Sequence, residues 1–176
     1  MFVLQINRNP RPRSRVFLLT TSHMFLYLGD RLPNKDHKPV PRPVYETQQS
    51  LSAERETIAE HPYFGSFQHV KLPLQYRMDF GCVDHTGRIK CFVEVKTRTT
   101  PKQHYRNFII SLSKIVAASA YERCGIPTYL LVKWTDSSGW IKLEEQKWEV
   151  RFGGRQDRGD WQDMEPLINI PVEQFN

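Results

Sequence analysis

Apolar and polar positions divide the chain into a few legible elements. From Arg77 to Lys96 (RMDFGCVDHTGRIKCFVEVK) they alternate, pause at the polar Asp84-His85-Thr86-Gly87, and resume in a run dense in β-branched and aromatic residues. That pattern predicts a β-hairpin. Thr128 to Trp134 (TYLLVKW) is nearly continuous apolar sequence, as in a strand covered on both faces. Between these two, Tyr105, Phe108, Ile109, Leu112, Ile115, Val116 and Ala120 recur at helical spacing. They predict one long helix over Lys102–Arg123, opened by Pro101, closed by Gly125 and followed by Pro127. Strand, helix and strand form a βαβ unit, so at least one strand pair is expected to be parallel.

Upstream, Leu51 and Ile58 lie on one stripe of a helix expected from about Thr47 to Glu60, with Glu54 on the same face. His61-Pro62 ends that helix, and Phe67 to Leu74 is expected to supply a short strand broken at Pro73. Downstream, Asp136 to Gly139 reads as a turn, Trp140 to Val150 as an edge strand, and Phe152 to Asp160 as a flexible loop. Leu167 to Val172 is expected to add a short strand or pack on the core. The fold class is therefore α/β, with a mixed central sheet of about four or five strands flanked by helices. Three regions are expected: a basic, Pro-rich extension over 1–45, the main domain over 46–150, and a tail over 151–176 packing on the core.

Composition changes little in this picture. At 176 residues, 39% apolar and 25% charged, the chain is ordinary for a soluble globular protein. Charge changes more. Residues 1–45 hold eight Arg or Lys against Asp30 and Asp36, a net +6 that equals the whole-chain value. The remainder is balanced, so the front end alone can act as a basic, phosphate-attracting arm. Its apolar stretch from Val16 to Leu28 is too short to span a bilayer, and no signal-peptidase-like site follows. Neither export nor membrane anchoring is expected, and a start at Met24 stays open. Pro39 to Pro43 reads as a linker. Cys82, Cys91 and Cys124 show no CxxC spacing and read as reduced thiols, which suits a cytoplasmic protein. Cys82 and Cys91 fall on the hairpin face opposite the carboxylates, where core packing outweighs a zinc site with His85.

The hairpin carries the candidate chemistry. Glu94 and Lys96 share one strand face, since side chains alternate. If the turn centres on Thr86-Gly87, residue numbers of cross-strand partners sum to 173, which sets Asp79 opposite Glu94. Two neighbouring carboxylates repel unless a cation lies between them, and a hard divalent ion accepts one or two carboxylates together with phosphate oxygens. A lysine beside them can orient water or stabilise charge on phosphorus. The chemistry implied is phosphodiester hydrolysis.

With these residues placed, residues 47 to 135 resemble the PD-(D/E)xK nuclease superfamily, most like small Holliday-junction resolvases and phage-encoded endonucleases. Its pattern is a helix bearing a glutamate (here Glu54), an aspartate opening a strand (Asp79), E-x-K on the partner strand (Glu94-Val95-Lys96), then a helix and a strand. Met78 stands where the family often has proline. The resemblance implies a restriction-endonuclease-like core and a metal-dependent DNA endonuclease, structure-specific or acting in recombination, repair or phage DNA processing. It implies Mg²⁺ or Mn²⁺ held by Asp79, Glu94 and the Val95 carbonyl, with Lys96 positioning water and Glu54 completing the site. Arg98, Lys102 and Lys114 are candidate phosphate contacts. DNA is the implied partner, with no membrane; pairing into a homodimer is common in such enzymes, though no dimer face is legible. Location would be the cytoplasm, that of the host if the chain is phage-encoded. The competing reading is an inactive nuclease fold serving as a DNA-binding or scaffold module. A second E-x-K, Glu145-Gln146-Lys147, follows no apolar strand and is set aside.

Overall fold

The computed structural model describes residues 47–144, 148–154 and 163–176. The basic extension, the Pro39–Pro43 linker, the second E-x-K triplet and most of the Phe152–Asp160 loop lie outside the described residues. The first described element, α1 (Gln48–Glu60), starts at a reciprocal cap. The Ser50 amide donates to Thr47 Oγ1 at 3.1 Å, and the Thr47 amide donates to Ser50 Oγ at 3.0 Å. These bonds satisfy donors that the first helical turn would otherwise leave open.

A five-stranded sheet follows: β1 (Gln68–Lys71), β2 (Phe80–Val83), β3 (Ile89–Thr97), β5 (Thr128–Lys133) and β6 (Ser138–Lys142), in the order β1-β2-β3-β5-β6. β3 and β5 are parallel; every other neighbouring pair is antiparallel. The fold is thus the mixed α/β sheet with flanking helices expected from the sequence. Phe80 pairs with Val93, Gly81 with Phe92 and Cys82 with Cys91, the register in which partners sum to 173. A bulge at Val83 separates this ladder from the turn, where Gly87 takes a φ of 81°.

The long helix expected over Lys102–Arg123 is corrected. Its first half is a single 3₁₀ turn and a strand, β4 (Asn107–Ser111), and the helix α2 spans only Leu112–Arg123. Phe108 and Ile110 are buried while Asn107 and Ile109 are exposed, an alternation that five residues cannot separate from a helical stripe. What decides between them is a partner: β8 (Met164–Pro171) pairs antiparallel along the whole of β4. Ser111, at the junction, accepts from the Ser113 amide at 3.2 Å and caps α2. Tyr105 and Val116, placed in the core by the helical reading, are exposed.

The edge strand expected over Trp140–Val150 is likewise corrected. β6 ends at Lys142, and β7 (Glu149–Gly154) belongs to a second, three-stranded sheet ordered β4-β8-β7. Phe152 to Gly154 are therefore paired strand, not loop. Leu143 leaves the edge with its amide on the Thr128 carbonyl (2.8 Å) and its side chain buried, which ends the hairpin there.

Apolar side chains cover both faces of the large sheet. One cluster joins Ile58 of α1 and Phe64 to Phe80, Cys82, Cys91, Val93, Val95 and Leu131. The other joins Phe92, Leu130 and Val132 to Ile115 and Ala118 of α2 and to Phe108, Ile110, Ile168 and Ile170 of the second sheet. Cys82 and Cys91 are buried and free, on the face away from the carboxylates, as expected.

Candidate active site

Glu94 and Lys96 lie on the β3 face that turns toward α2 and the second sheet, two residues apart. Asp79 precedes β2 and is held in place through its backbone and side chain together. Its amide donates to the Val93 carbonyl (3.2 Å), its carbonyl accepts from the Leu72 amide (2.9 Å), and Oδ2 accepts from the Val95 amide (2.9 Å). The carboxylate therefore projects beside Glu94 without freedom to swing away.

Three lysines answer three carboxylates here. Lys96 Nζ lies 2.6 Å from Glu94 Oε1, 3.5 Å from Asp79 Oδ2 and 3.1 Å from the Val95 carbonyl. Lys114, in the first turn of α2, donates to Glu94 Oε2 at 2.6 Å. Lys71, at the end of β1, donates to Glu54 Oε2 at 3.0 Å and lies 3.6 Å from Asp79 Oδ1. Glu94 is fully buried, a state a carboxylate tolerates only with such partners. Burial alone would raise the pKa of Asp79, but Lys96, the Val95 amide, Lys114 and Lys71 outweigh it and hold the carboxyl below its usual value. Glu54 goes the other way, raised by burial and by the Asp79 charge against the opposing pull of Lys71 and Lys96. For Lys96, burial is outweighed by Glu94 and Asp79, so its pKa is raised and it stays an ammonium.

The oxygens suit a cation. Glu94 Oε1 is buried and, apart from its ion pair with Lys96, receives no hydrogen bond among the described residues. The atoms that surround the Lys96 ammonium are one oxygen each of Asp79, Glu94 and the Val95 carbonyl, all hard donors of the kind Mg²⁺ or Mn²⁺ takes. These residues fit a divalent ion, and nothing else in the donor set is soft enough to favour zinc.

The other expected phosphate contacts separate. Arg98, two residues past Lys96, lies with its guanidinium 4.5 Å from the Phe108 ring centre and lines the same cleft of about 1020 Å³ as Glu94, Lys96 and Lys114. Lys102 does not line that cleft: its ammonium donates to the Phe175 carbonyl (3.0 Å) and lies over Trp134. The structure thus brings Glu54, Asp79, Glu94, Lys96 and Lys114 together and leaves Lys102 apart. Sequence reasoning missed Lys71, although the antiparallel register of β1 on β2 aims it at Asp79. It also missed that Lys114 pairs with Glu94. The signal was Ser111, whose capping role moves the helix start to Leu112 and Lys114 into the first turn. The far wall of the cleft adds Ser111, which donates to Glu165 Oε2 at 2.6 Å.

A mixed sheet whose hairpin presents an aspartate and an E-x-K triplet, with a helical glutamate alongside, defines the PD-(D/E)xK nuclease superfamily. The chain belongs to the family described as "Phage putative PDDEXK endonuclease", whose model matches residues 40–176. Met78, where the superfamily often has proline, is packed in the core beneath α2. Among solved structures, the chain is similar to Hjc of Archaeoglobus fulgidus, a Holliday junction resolvase from an archaeal hyperthermophile. That match has 12% identity and a TM-score of 0.45, and covers 70% of this chain and 85% of the other. No curated protein matches. Among the described residues, no helix is long and apolar enough to cross a membrane.

Proposed function

We propose that this protein is a divalent-metal-dependent DNA endonuclease that hydrolyses phosphodiester bonds, with Asp79, Glu94 and Lys96 at its centre. The observation that carries the reading is the convergence of one oxygen each of Asp79, Glu94 and Val95 on the Lys96 ammonium, a set of hard donors beside a lysine. Asp79, Glu94 and the Val95 carbonyl would hold the ion, with Glu54 beside them. A divalent ion there supplies Lewis-acid stabilisation of charge on the phosphoryl oxygens and lowers the pKa of bound water.

The chain's own residues do the rest. Lys96, kept protonated by Glu94 and Asp79, orients a water or stabilises charge developing on the phosphate. Lys114 holds the Glu94 carboxylate in one orientation from the helix side. Arg98, whose single hydrogen bond among the described residues runs to the Thr97 carbonyl (3.2 Å), keeps most of its five donors for a phosphate at the cleft rim. The basic residues of 1–45 would add sequence-independent affinity for the backbone.

The test is cleavage of labelled linear, branched and single-stranded DNA with Mg²⁺ or Mn²⁺, comparing wild type with Lys96→Ala. Cutting that disappears in the variant and in EDTA supports the reading and ranks the substrates. A folded wild type that cuts none of them with either metal overturns it in favour of a binding module.

A further inference from the structure

Arg98 lines a second, smaller cavity as well as the main cleft. That cavity, of about 220 Å³, has Arg98, Tyr105, Asn107, Phe108 and Trp134 in its lining. Its floor is apolar and rigid: Phe108 and Trp134 are buried, contact one another edge-on with ring centres 6.4 Å apart, and both pack on Phe175. Its rim is not apolar alone. Asn107 and Arg98 also line it, and Tyr105, 64% exposed with its ring edge-on to His104, is a further lining residue. An aromatic side chain left this exposed beside a preformed hollow contributes little to the core.

The hollow is smaller than the roughly 300–1,000 Å³ of drug-sized sites, and it suits one planar heterocycle. Its position narrows the choice further. Arg98 follows Lys96 by two residues, one past the end of β3, about 6.6 Å along an extended backbone, or roughly one to two nucleotides along a DNA strand. A guanidinium between the two cavities is placed to take the phosphate that joins a cut nucleotide to its neighbour.

Resting on the nuclease reading above, we propose that this cavity receives one unpaired nucleobase flanking the scissile phosphate. Tyr105 is the stacking surface, Asn107 meets the base edge, and Arg98 holds the intervening phosphate. A paired base cannot enter without leaving its duplex, so the cavity favours DNA that already carries an unpaired nucleotide, such as a flap, a bulge or a branch point. Stacking tolerates any base, so the preference is for structure and not for sequence.

The test uses the full-length protein in EDTA, where no cutting occurs, and fluorescence anisotropy on three fluorescein-labelled DNAs. These are a perfect duplex, the same duplex with a one-nucleotide flap, and that flap with an abasic nucleotide. Wild type is expected to bind the flap bearing a base between roughly fivefold and a hundredfold more tightly than the abasic flap. Tyr105→Ala removes that difference without changing affinity for the perfect duplex, and Tyr105→Trp restores it. Equal binding of the two flaps by wild type, or equal weakening of all three DNAs by Tyr105→Ala, overturns the base-binding proposal and leaves the nuclease reading standing. Failure to bind any of the three DNAs, in EDTA and again with Ca²⁺ in its place, overturns the base-binding proposal, and the nuclease reading is then judged by the cleavage assay alone.

Discussion

Lys114→Met is the substitution that tests the electrostatic account of the site most directly. Glu94 is fully buried between two ammonium groups, each 2.6 Å from one of its oxygens. At an effective dielectric constant near 20, each pair attracts by about 4–6 kcal/mol before desolvation is subtracted. Deleting one partner of a buried pair costs about 3–5 kcal/mol when the remaining charge is left alone. Here Lys96 stays, and the Lys114 side chain is 23% exposed, so some of its attraction is already screened. The expected loss is about 1.5–3 kcal/mol, a downward shift of roughly 1 M in the urea midpoint of the metal-free protein. In a Glu94→Gln background the charge to be neutralised is gone, and Lys114→Met should cost less than about 1 kcal/mol. The assay is urea unfolding of wild type, both single variants and the double variant in EDTA. Single-variant effects that add to within about 0.5 kcal/mol would refute the claim that Lys114 clamps Glu94.

Three further outcomes follow from the same structure. Asp79 is held below its usual pKa, so its contribution to stability is complete above the unfolded value of about 3.9 and is lost as pH falls through the lower folded value. Unfolding free energies of metal-free wild type should therefore fall more steeply from pH 5 toward about pH 2 than those of Asp79→Asn, and parallel curves would contradict it. Ile58→Ala, at a fully buried position where α1 meets the large sheet, should cost about 2–5 kcal/mol by urea unfolding. Gly154→Ala should cost about 2 kcal/mol or more, since φ there is 153° and an added Cβ would overlap the Asp163 backbone carbonyl; unchanged stability would mean that β7 can shift freely against β8.

Much of the site was legible because strand geometry is local. The two-residue period places Glu94 and Lys96 together with no knowledge of the rest of the fold, whereas the register that sets Asp79 beside Glu94 comes from the turn together with the bulge at Val83, which the sequence pattern does not show. Glu54 was legible for a similar reason, its spacing from Leu51 and Ile58 setting it on the buried edge of α1. The nature of β4 was not. Phe108, Ile109 and Leu112 satisfy a helical period, and Phe108 and Ile110 satisfy a strand period, over too few residues for either to win. Lys102 illustrates the same limit: it sits near the end of β3 in sequence, yet the Phe175 carbonyl and the Trp134 ring hold it away from the main cleft.

The sequence by itself determined the hairpin, the stripe of α1, the buried strand β5 and the choice of the acidic pair with its lysine as candidates. Each follows from periodicities and turns that operate within about twenty residues. Only the tertiary structure decided that β4 pairs with β8 some sixty residues away, that α2 consequently begins at Leu112, and that Lys114 and Lys71 close around Glu94, Asp79 and Glu54. The physical reason is that a backbone segment of ambiguous pattern takes the conformation in which its amides and carbonyls find partners, and those partners come from distant parts of the chain. Buried charges obey the same rule: Glu94 could be buried once the fold had brought two ammonium groups to it.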